Sequence, residues 1–282
     1  MAILLDGKKL AQERRNALQV EVERFVEQYG YAPILSVVLV GDNSASKLYV
    51  RNKIKAAKEV GIGSRFEALP ADVREEEVFA VVDALNNDPL VHGLLVQLPL
   101  PQGLDAEKVI ARVLPQKDVD GLTPASLGHL LRGVSGVRPC TPKGILTLLD
   151  NYALNITGKR AVVVGRSALV GKPIALMLLE KHATVTLCHS KTHDLPGIIG
   201  GADILVCAMG EAEFIQPKWM KEGAVVVDVG MNKTSRGWLG DVCVKGLKEK
   251  VHAFTPVPGG VGPMTVVSLL ENSLALALAQ AK

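Results

Sequence analysis

The sequence predicts an α/β protein of two domains, and three observations carry that prediction. Apolar runs of strand length alternate with stretches of helical period, the pattern of a parallel sheet covered by helices. The alternation occurs twice, and the two series are separated by a Pro- and Gly-containing segment over residues 115–142. The second series opens on a strand, a glycine turn and a helix-like stretch, AVVVG followed by RSALVGKPIALMLLE, over 161–180. The chain has 282 residues, of which 48% are hydrophobic and 22% charged. That length and composition suit two ordinary domains whose cores need neither disulfide nor metal.

In the first series the expected strands are ILSVVLV (34–40), SRFEAL (64–69) and HGLLVQL (92–98). The runs at 34–40 and 94–96 are nearly continuous in Val, Leu and Ile, as strands covered on both faces require. Helices are expected near 8–29, 44–60 and 75–87; Asp42-Asn43-Ser44 offers N-caps for the second, and Gly61 its end. The second series continues through AVVVG (161–165), ATVTLC (183–188), ADILVCA (202–208) and AVVVDVG (224–230). A final helix is expected over about 263–279, with Pro263 at its first position.

Charge and composition exclude several classes of function. The 32 basic and 29 acidic residues leave a net charge of +3, too balanced for a protein held mainly by nucleic-acid backbones. Aromatic residues make up only 4%, which argues against base stacking. Residues 1–140 carry a net charge of −1 and residues 141–282 a net of +4, which suits a small anionic ligand on the second half. Cys140, Cys188, Cys207 and Cys243 form no CxxC pair, so free thiols in a reducing compartment are expected. The start, MAILLDGKKL, is too short in apolar residues for a signal peptide. The richest apolar stretch is broken by Glu271 and Asn272, so no membrane span is expected. The expectation is a cytoplasmic protein with no nucleic-acid or membrane partner.

The glycine turn points to a dinucleotide. Strand, glycine turn and helix place a pyrophosphate on a helix N-terminus. The glycines are Gly165 and Gly171 rather than GxGxxG; Gly165 permits a tight turn and Gly171 close packing of helix on sheet. An ordinary strand–helix turn is the alternative. An NAD site would end the next strand in Asp or Glu for the ribose 2′-hydroxyl. Here the strand ends Leu187-Cys188-His189-Ser190-Lys191, with Arg166 in plausible reach. A hydroxyl and cations without a carboxylate suit a 2′-phosphate, which favours NADP over NAD. A metal set of Cys188, His189 and His193 lacks a fourth ligand, and the strand period separates the first two, so no metal is expected.

The first half carries candidates for chemistry. Ser46, Tyr49 and Lys53 share one helix face, beside an apolar stripe of Val50, Ile54 and Ala57. Partial burial and the nearby cations Arg51 and Lys55 both favour a neutral lysine, which makes Lys53 a candidate general base; a solvated basic face is the alternative. Gln97 ends a strand of Leu and Val just before Leu98-Pro99-Leu100-Pro101, on the edge where α/β sheets gather ligands. Lys53 and Gln97 are therefore expected to meet. KDVDG (117–121) sets Asp118 and Asp120 in a turn without the ligand count of a calcium loop. One of these carboxylates is suited to accept a pair of N–H groups from a heterocycle. PVPGGVGPMT (256–265) concentrates Pro and Gly before a helix, which suggests backbone held against a ligand; a plain connector is the alternative.

Taken together, YVRNK (49–53), VQLPLP (96–101), KDVDG (117–121), PCTPKG (139–144), VVGRSALVGKP (163–173) and PVPGGVGPMT (256–265) resemble the bifunctional methylenetetrahydrofolate dehydrogenase/methenyltetrahydrofolate cyclohydrolase family, in family order and over almost the whole chain. The resemblance implies an N-terminal α/β folate and catalytic domain, a Rossmann-like NADP-binding domain and a cleft between them. It places the domains at 1–120 and 141–262 with 121–140 connecting, and packs the helix of 263–282 back on the first. It implies a homodimer that oxidises 5,10-methylenetetrahydrofolate with NADP and hydrolyses the 5,10-methenyl product to 10-formyltetrahydrofolate. By motif match, Lys53 is the general acid/base, Gln97 its hydrogen-bond partner and Tyr49 the ring beside the folate. Asp120 holds the pterin, and Pro258, Gly259, Gly260 and Val261 line the folate site. Gly165, Arg166, Ser167, Ser190 and Met231 match cofactor positions. One departure is visible: many members read His-Pro and then Asn after KDVDG, where this chain has Thr123-Pro124 and Ser126, which weakens any hydrogen bond assigned there.

Two other readings compete. A monofunctional NADP dehydrogenase on the same scaffold lacks useful hydrolase activity. A silent NADP-binding regulatory module does not need Tyr49, Lys53, Gln97 and Asp120 together, and their joint presence argues against it.

Overall fold

A computed structural model describes residues 2–281. The first part of the chain forms β1 (Ile3–Leu4), α1 (Gly7–Tyr29), β2 (Ile34–Val40), α2 (Ser44–Glu59), β3 (Gly63–Leu69), α3 (Glu75–Asn87) and β4 (Gly93–Val96). Three helices follow, α4 (Ala106–Arg112), α5 (Pro124–Leu131) and α6 (Cys140–Asn151). Next come β5 (Arg160–Val164), α7 (Gly171–Glu180), β6 (Thr184–Cys188), α8 (Leu195–Gly200), β7 (Ile204–Cys207) and β8 (Val225–Asp228). The chain ends with β9 (Asn232–Thr234), β10 (Gly237–Leu239), α9 (Leu247–Lys250), β11 (Ala253–Phe254) and α10 (Val261–Gln280). It divides into two compact units, one running to Gln12 and resuming over Thr141–Thr265, the other comprising Glu13–Cys140 and the residues from Val266 on.

The Glu13–Cys140 unit holds a parallel sheet in the order β3-β2-β4. Its central strand β2 is buried on both faces, and period-two alternation divides its side chains between two cores. Leu35, Val37 and Leu39 pack in a cluster with Leu18, Val22 and Phe25 of α1, Val50 and Ala57 of α2, and Leu269, Leu270 and Leu274 of α10. Val38 and Val40 join Val78, Val82 and Leu85 of α3 on the other face. Helix α10 has the length and apolar composition of a membrane span, but 61% of its apolar window is buried within the structure, as in a core helix. Segment 121–140, expected to connect domains, instead contains α5 and belongs to this unit. Thr123 caps that helix by accepting from the Ser126 N–H at 3.2 Å, with Pro124 in its first turn.

The other unit carries a six-stranded sheet in the order β1-β11-β8-β7-β5-β6, in which every described pairing is parallel. From β5 the chain steps outward to β6, then crosses back to build β7, β8 and β11 on the other side. The carboxyl ends of β5 and β7 therefore flank a topological switch point, the usual place for a ligand in such sheets. Residues up to Gln12, expected with the first domain, belong here because β1 pairs with β11 and the Asp6 N–H donates to the Tyr152 hydroxyl at 2.9 Å. Strands of two residues are too short for a period to reveal. Helix α10 starts at Val261, so Pro263 lies within its first turn rather than at its first position. That turn has no intrahelical acceptor for its N–H groups, so the proline loses nothing there.

Candidate active site

Helix α2 begins where the Asn43 side chain accepts from the Ser46 N–H at 3.0 Å, which caps the helix and fixes its rotation. One face then carries Ser46, Val50, Lys53 and Ala57, all buried, with Lys53 only 8% exposed. The Lys53 ammonium donates to Gln97 Oε1 at 3.0 Å. Gln97 lies just beyond β4, and its Nε2–H donates to the Leu98 carbonyl at 2.7 Å, which fixes the end of the amide that faces the lysine. The Leu98–Pro99 peptide is cis. Tyr49, one turn before Lys53, is 37% exposed, and burial of the rest of its ring pushes the phenol above its usual range.

Asp120 sits in the loop before α5. Burial pushes its carboxyl above the usual range; the positive charge of Lys53 and a hydrogen bond from Cys140 pull it back, and Asp118 adds to the rise. The loop is held by groups that the sequence left ambiguous. Asp118 Oδ1 accepts from the N–H groups of Gly121 at 2.9 Å and Leu122 at 3.2 Å. Its Oδ2 accepts from the Thr123 N–H at 2.8 Å and the Ser126 hydroxyl at 2.7 Å. Both oxygens face donors, so this carboxylate organises a turn and holds no cation. The residues that depart from the family pattern, Thr123 and Ser126, thus make well-formed hydrogen bonds of their own. Asn272 Nδ2 ties the other side by donating to the carbonyls of Val119 at 2.9 Å and Arg138 at 3.0 Å. Gly121 adopts φ +69°, and a Cβ there would lie 2.7 Å from the Arg138 carbonyl carbon, so only glycine fits.

In the six-stranded unit the expected glycine turn lies at the switch point. Gly165 has φ +118°, and a Cβ on it would lie 2.1 Å from the Ala208 carbonyl oxygen just beyond β7. A Cβ on Gly171 would lie 2.0 Å from the Gly165 carbonyl oxygen, so both glycines are set by close backbone approach. The helix expected from residue 166 begins only at Gly171. The cause is Ser167, whose hydroxyl accepts from the N–H groups of Val170 at 3.1 Å and Gly171 at 3.4 Å and holds 166–170 as a loop. Val164 and Cys188 are register partners in β5 and β6. Arg166 and Ser190 each lie two residues past that pair, both exposed on the same sheet edge, and no carboxylate ends β6. These residues fit a dinucleotide with a 2′-phosphate: a glycine turn at the switch point, the N-terminus of α7, and a cation and a hydroxyl at matching depth.

His189 closes a turn, with its Nδ1 accepting from the Lys191 N–H at 3.1 Å. Among the described residues no three His, Cys, Asp or Glu side chains form a metal-holding group. Met231, 40% exposed, follows β8. In the Pro-Gly loop Val257–Pro258 is cis and Gly259 has φ +107°. The Gly259 carbonyl accepts from the Lys8 N–H at 2.8 Å, and a Cβ on Gly7 would lie 1.8 Å from the Gly260 oxygen. The close approach accounts for Gly7, while the loop's own glycines are set within it, Gly259 by its positive φ and Gly260 by a Cβ that would lie 2.7 Å from the Pro256 carbonyl oxygen; Pro258 stays exposed and Val261 opens α10 buried.

Two buried carboxylates lie outside the candidates that the sequence offers, Asp228 at the end of β8 and Asp241. Burial, with a smaller push from Asp241, raises Asp228 to about 6 against the hydrogen bonds it accepts from backbone N–H groups. A signal was present: Gly230 and Gly240 flank them, and a Cβ on either would lie within 2.1 Å of a carboxylate oxygen.

Comparison with known proteins matches both halves of the chain. Residues 5–120 match the model of the tetrahydrofolate dehydrogenase/cyclohydrolase catalytic domain, and residues 139–281 that of the family's NAD(P)-binding domain. The chain is 52% identical to the bifunctional protein FolD of Methanoculleus marisnigri over 272 residues, covering 96% of this chain and 95% of that one. Its structure is similar to the bifunctional FolD of Campylobacter jejuni, with a TM-score of 0.96 at 42% identity over 99% of each chain. It is also similar to the Trypanosoma brucei dehydrogenase-cyclohydrolase solved with NADP cofactor and inhibitor, with a TM-score of 0.94 at 36% identity over 99% of this chain and 98% of that one. With both domain models matched in order along a chain that these relatives cover almost end to end, this protein belongs to the tetrahydrofolate dehydrogenase/cyclohydrolase family.

Proposed function

We infer that the chain catalyses two successive steps on one folate: oxidation of 5,10-methylenetetrahydrofolate to the 5,10-methenyl cation, then hydrolysis to 10-formyltetrahydrofolate. The observation that carries the reading is the Lys53–Gln97 hydrogen bond, 3.0 Å long and held on a buried helix face. NADP, when bound, supplies the acceptor for the hydride that leaves the bridging methylene carbon.

The product of oxidation is a cation, and a permanently charged lysine beside it would repel it. A lysine neutral for part of the cycle avoids that repulsion, and Gln97 orients its amine without adding charge. In hydrolysis, water adds to the bridging carbon and Lys53 takes a proton from it. The carbon–N5 bond then breaks, Lys53 returns a proton to N5, the formyl group stays on N10 and one proton is released overall. Asp120 accepts N–H groups of the pterin, Tyr49 lies along the folate, and the backbone of Pro258, Gly259, Gly260 and Val261 lines its site. Gly165, Arg166, Ser167, Ser190 and Met231 bind the cofactor, with Arg166 and Ser190 on the 2′-phosphate.

The test is to supply purified protein with 5,10-methylenetetrahydrofolate and NADP or NAD, following cofactor reduction, and to measure hydrolysis of the methenyl compound separately. NADP reduction with little NAD reduction, together with methenyl hydrolysis, is expected. Reduction without hydrolysis would leave a monofunctional dehydrogenase.

The chain pairs as a homodimer on this reading. What supports it is β6, an edge strand of the six-stranded sheet whose Thr184, Thr186 and Leu187 are exposed. Light scattering should give twice the 30.0 kDa chain mass. A mass of one chain at micromolar concentration would refute the pairing.

A further inference from the structure

The carboxylate of Asp241 is fully buried, at 0% exposure, and joins two loops at the carboxyl edge of the six-stranded sheet. Its Oδ2 accepts from the N–H groups of Met209 at 2.7 Å and Gly210 at 3.1 Å, and its Oδ1 from the Glu211 N–H at 3.0 Å. Those residues form the loop after β7. Oδ1 also accepts from Asn232 Nδ2 at 2.9 Å, and a Cβ on Gly230 would lie 2.1 Å from it, so the loop after β8 closes on the same group. Asp241 is itself held, since its N–H donates to Asp228 Oδ1 at 2.9 Å. Asp228 accepts in turn from the N–H groups of Gly230 at 3.0 Å and Val242 at 2.9 Å.

Both loops border the cofactor positions. The β7 loop leads directly from Ala208, whose N–H donates to Val164 at 2.8 Å and whose carbonyl leaves no room for a Cβ on Gly165. The β8 loop carries Met231. Four donors, three from the loop after β7 and one from Asn232 at the start of β9, converge on this one carboxylate beside the glycine turn.

We propose that Asp241 is a positioning residue for the NADP-dependent half of the reaction, acting through the loops after β7 and β8 rather than by touching the cofactor. The inference rests on the cofactor assignment proposed above. A buried fork of N–H groups that loses its acceptor must move to find another, and shifts of an ångström at a binding site cost up to about a hundredfold.

The hydrolysis step uses no cofactor, so one protein carries its own control. In Asp241→Asn, where the amide NH2 faces N–H groups, KM for NADP should rise about tenfold or more, while kcat/KM for methenyl hydrolysis stays within about twofold of wild type. Asn232→Ala removes one donor and leaves the carboxylate in place. It should raise KM for NADP by a smaller factor, and it decides the question if Asp241→Asn does not fold. An unchanged KM for NADP in folded variants would overturn the proposal, as would parallel loss of both activities. Wild-type protein that fails to reduce NADP would instead sink the cofactor reading on which the proposal rests.

Discussion

Lys53 of α2 donates to Gln97, the residue immediately beyond β4, across 3.0 Å, although 44 positions separate them in the sequence. A capped helix and a buried strand end together place an amine against a neutral amide, with the amide's other end committed to Leu98. Replacing the acceptor should therefore expose its role. Gln97→Leu should lower kcat for methenyl hydrolysis by about ten- to a hundredfold, with a smaller effect on KM for the folate. Gln97→Glu should also slow hydrolysis, because a carboxylate facing the amine holds it charged. Steady-state kinetics on both variants checks this; an unaltered kcat in Gln97→Leu would contradict it.

Arg166 and Ser190 extend two residues past register partners in neighbouring strands. Losing the guanidinium should remove the charge-assisted contact to a 2′-phosphate. Arg166→Ala is expected to raise KM for NADP about tenfold or more and to change KM for NAD little. Equal effects on the two cofactors would assign Arg166 to a part that NAD and NADP share.

Ser126 supplies one of four donors on the Asp118 carboxylate, through a hydroxyl 2.7 Å away. Ser126→Ala should cost about 1–2 kcal/mol of stability, since the hydrogen bond is buried and its acceptor charged. It should also raise KM for the folate through the loop that carries Asp120. Chemical denaturation and folate titration measure the two effects. A variant as stable as wild type would show that Asp118 does not depend on that hydroxyl.

Asp228 predicts a pH dependence of stability. Its carboxyl stands at about 6 when folded, against 3.8 ordinarily, so the folded chain binds a proton that the unfolded chain has released between those values. Stability from this group is therefore present at low pH and is lost as pH rises through about 6, a change of about 3 kcal/mol. The partnered surface acids Asp83, Asp88 and Asp203 have lowered values and act in the opposite sense, below the usual carboxylate range. Asp120 has a raised value and adds to the effect of Asp228. Urea unfolding at a series of pH values should show a shallower fall between about pH 4 and 7 in Asp228→Asn than in wild type. Identical slopes would contradict the assignment.

The elements legible in the sequence were those with a strong period. β2, β5, β7 and β8 are runs of Val, Leu and Ile buried in the middle of sheets, and α3 spans the expected 75–87. β1 and β11 escaped because two residues cannot show a period. Helix α7 starts five residues later than the composition of 166–170 predicts, because the Ser167 hydroxyl holds that segment as a loop. Lys53 and Gln97 were legible because helix spacing and strand ends predict placement. Asp118, Asp228 and Asp241 were not, since a carboxylate that gathers backbone N–H groups depends on loops whose shape no local pattern specifies.

The role of Lys53 is tested most directly by hydrolysis of 5,10-methenyltetrahydrofolate in Lys53→Met, which keeps the volume on the buried face and removes the amine. Loss of hydrolysis by at least about a hundredfold is expected in a folded protein that still binds NADP. Full hydrolysis by Lys53→Met would contradict it.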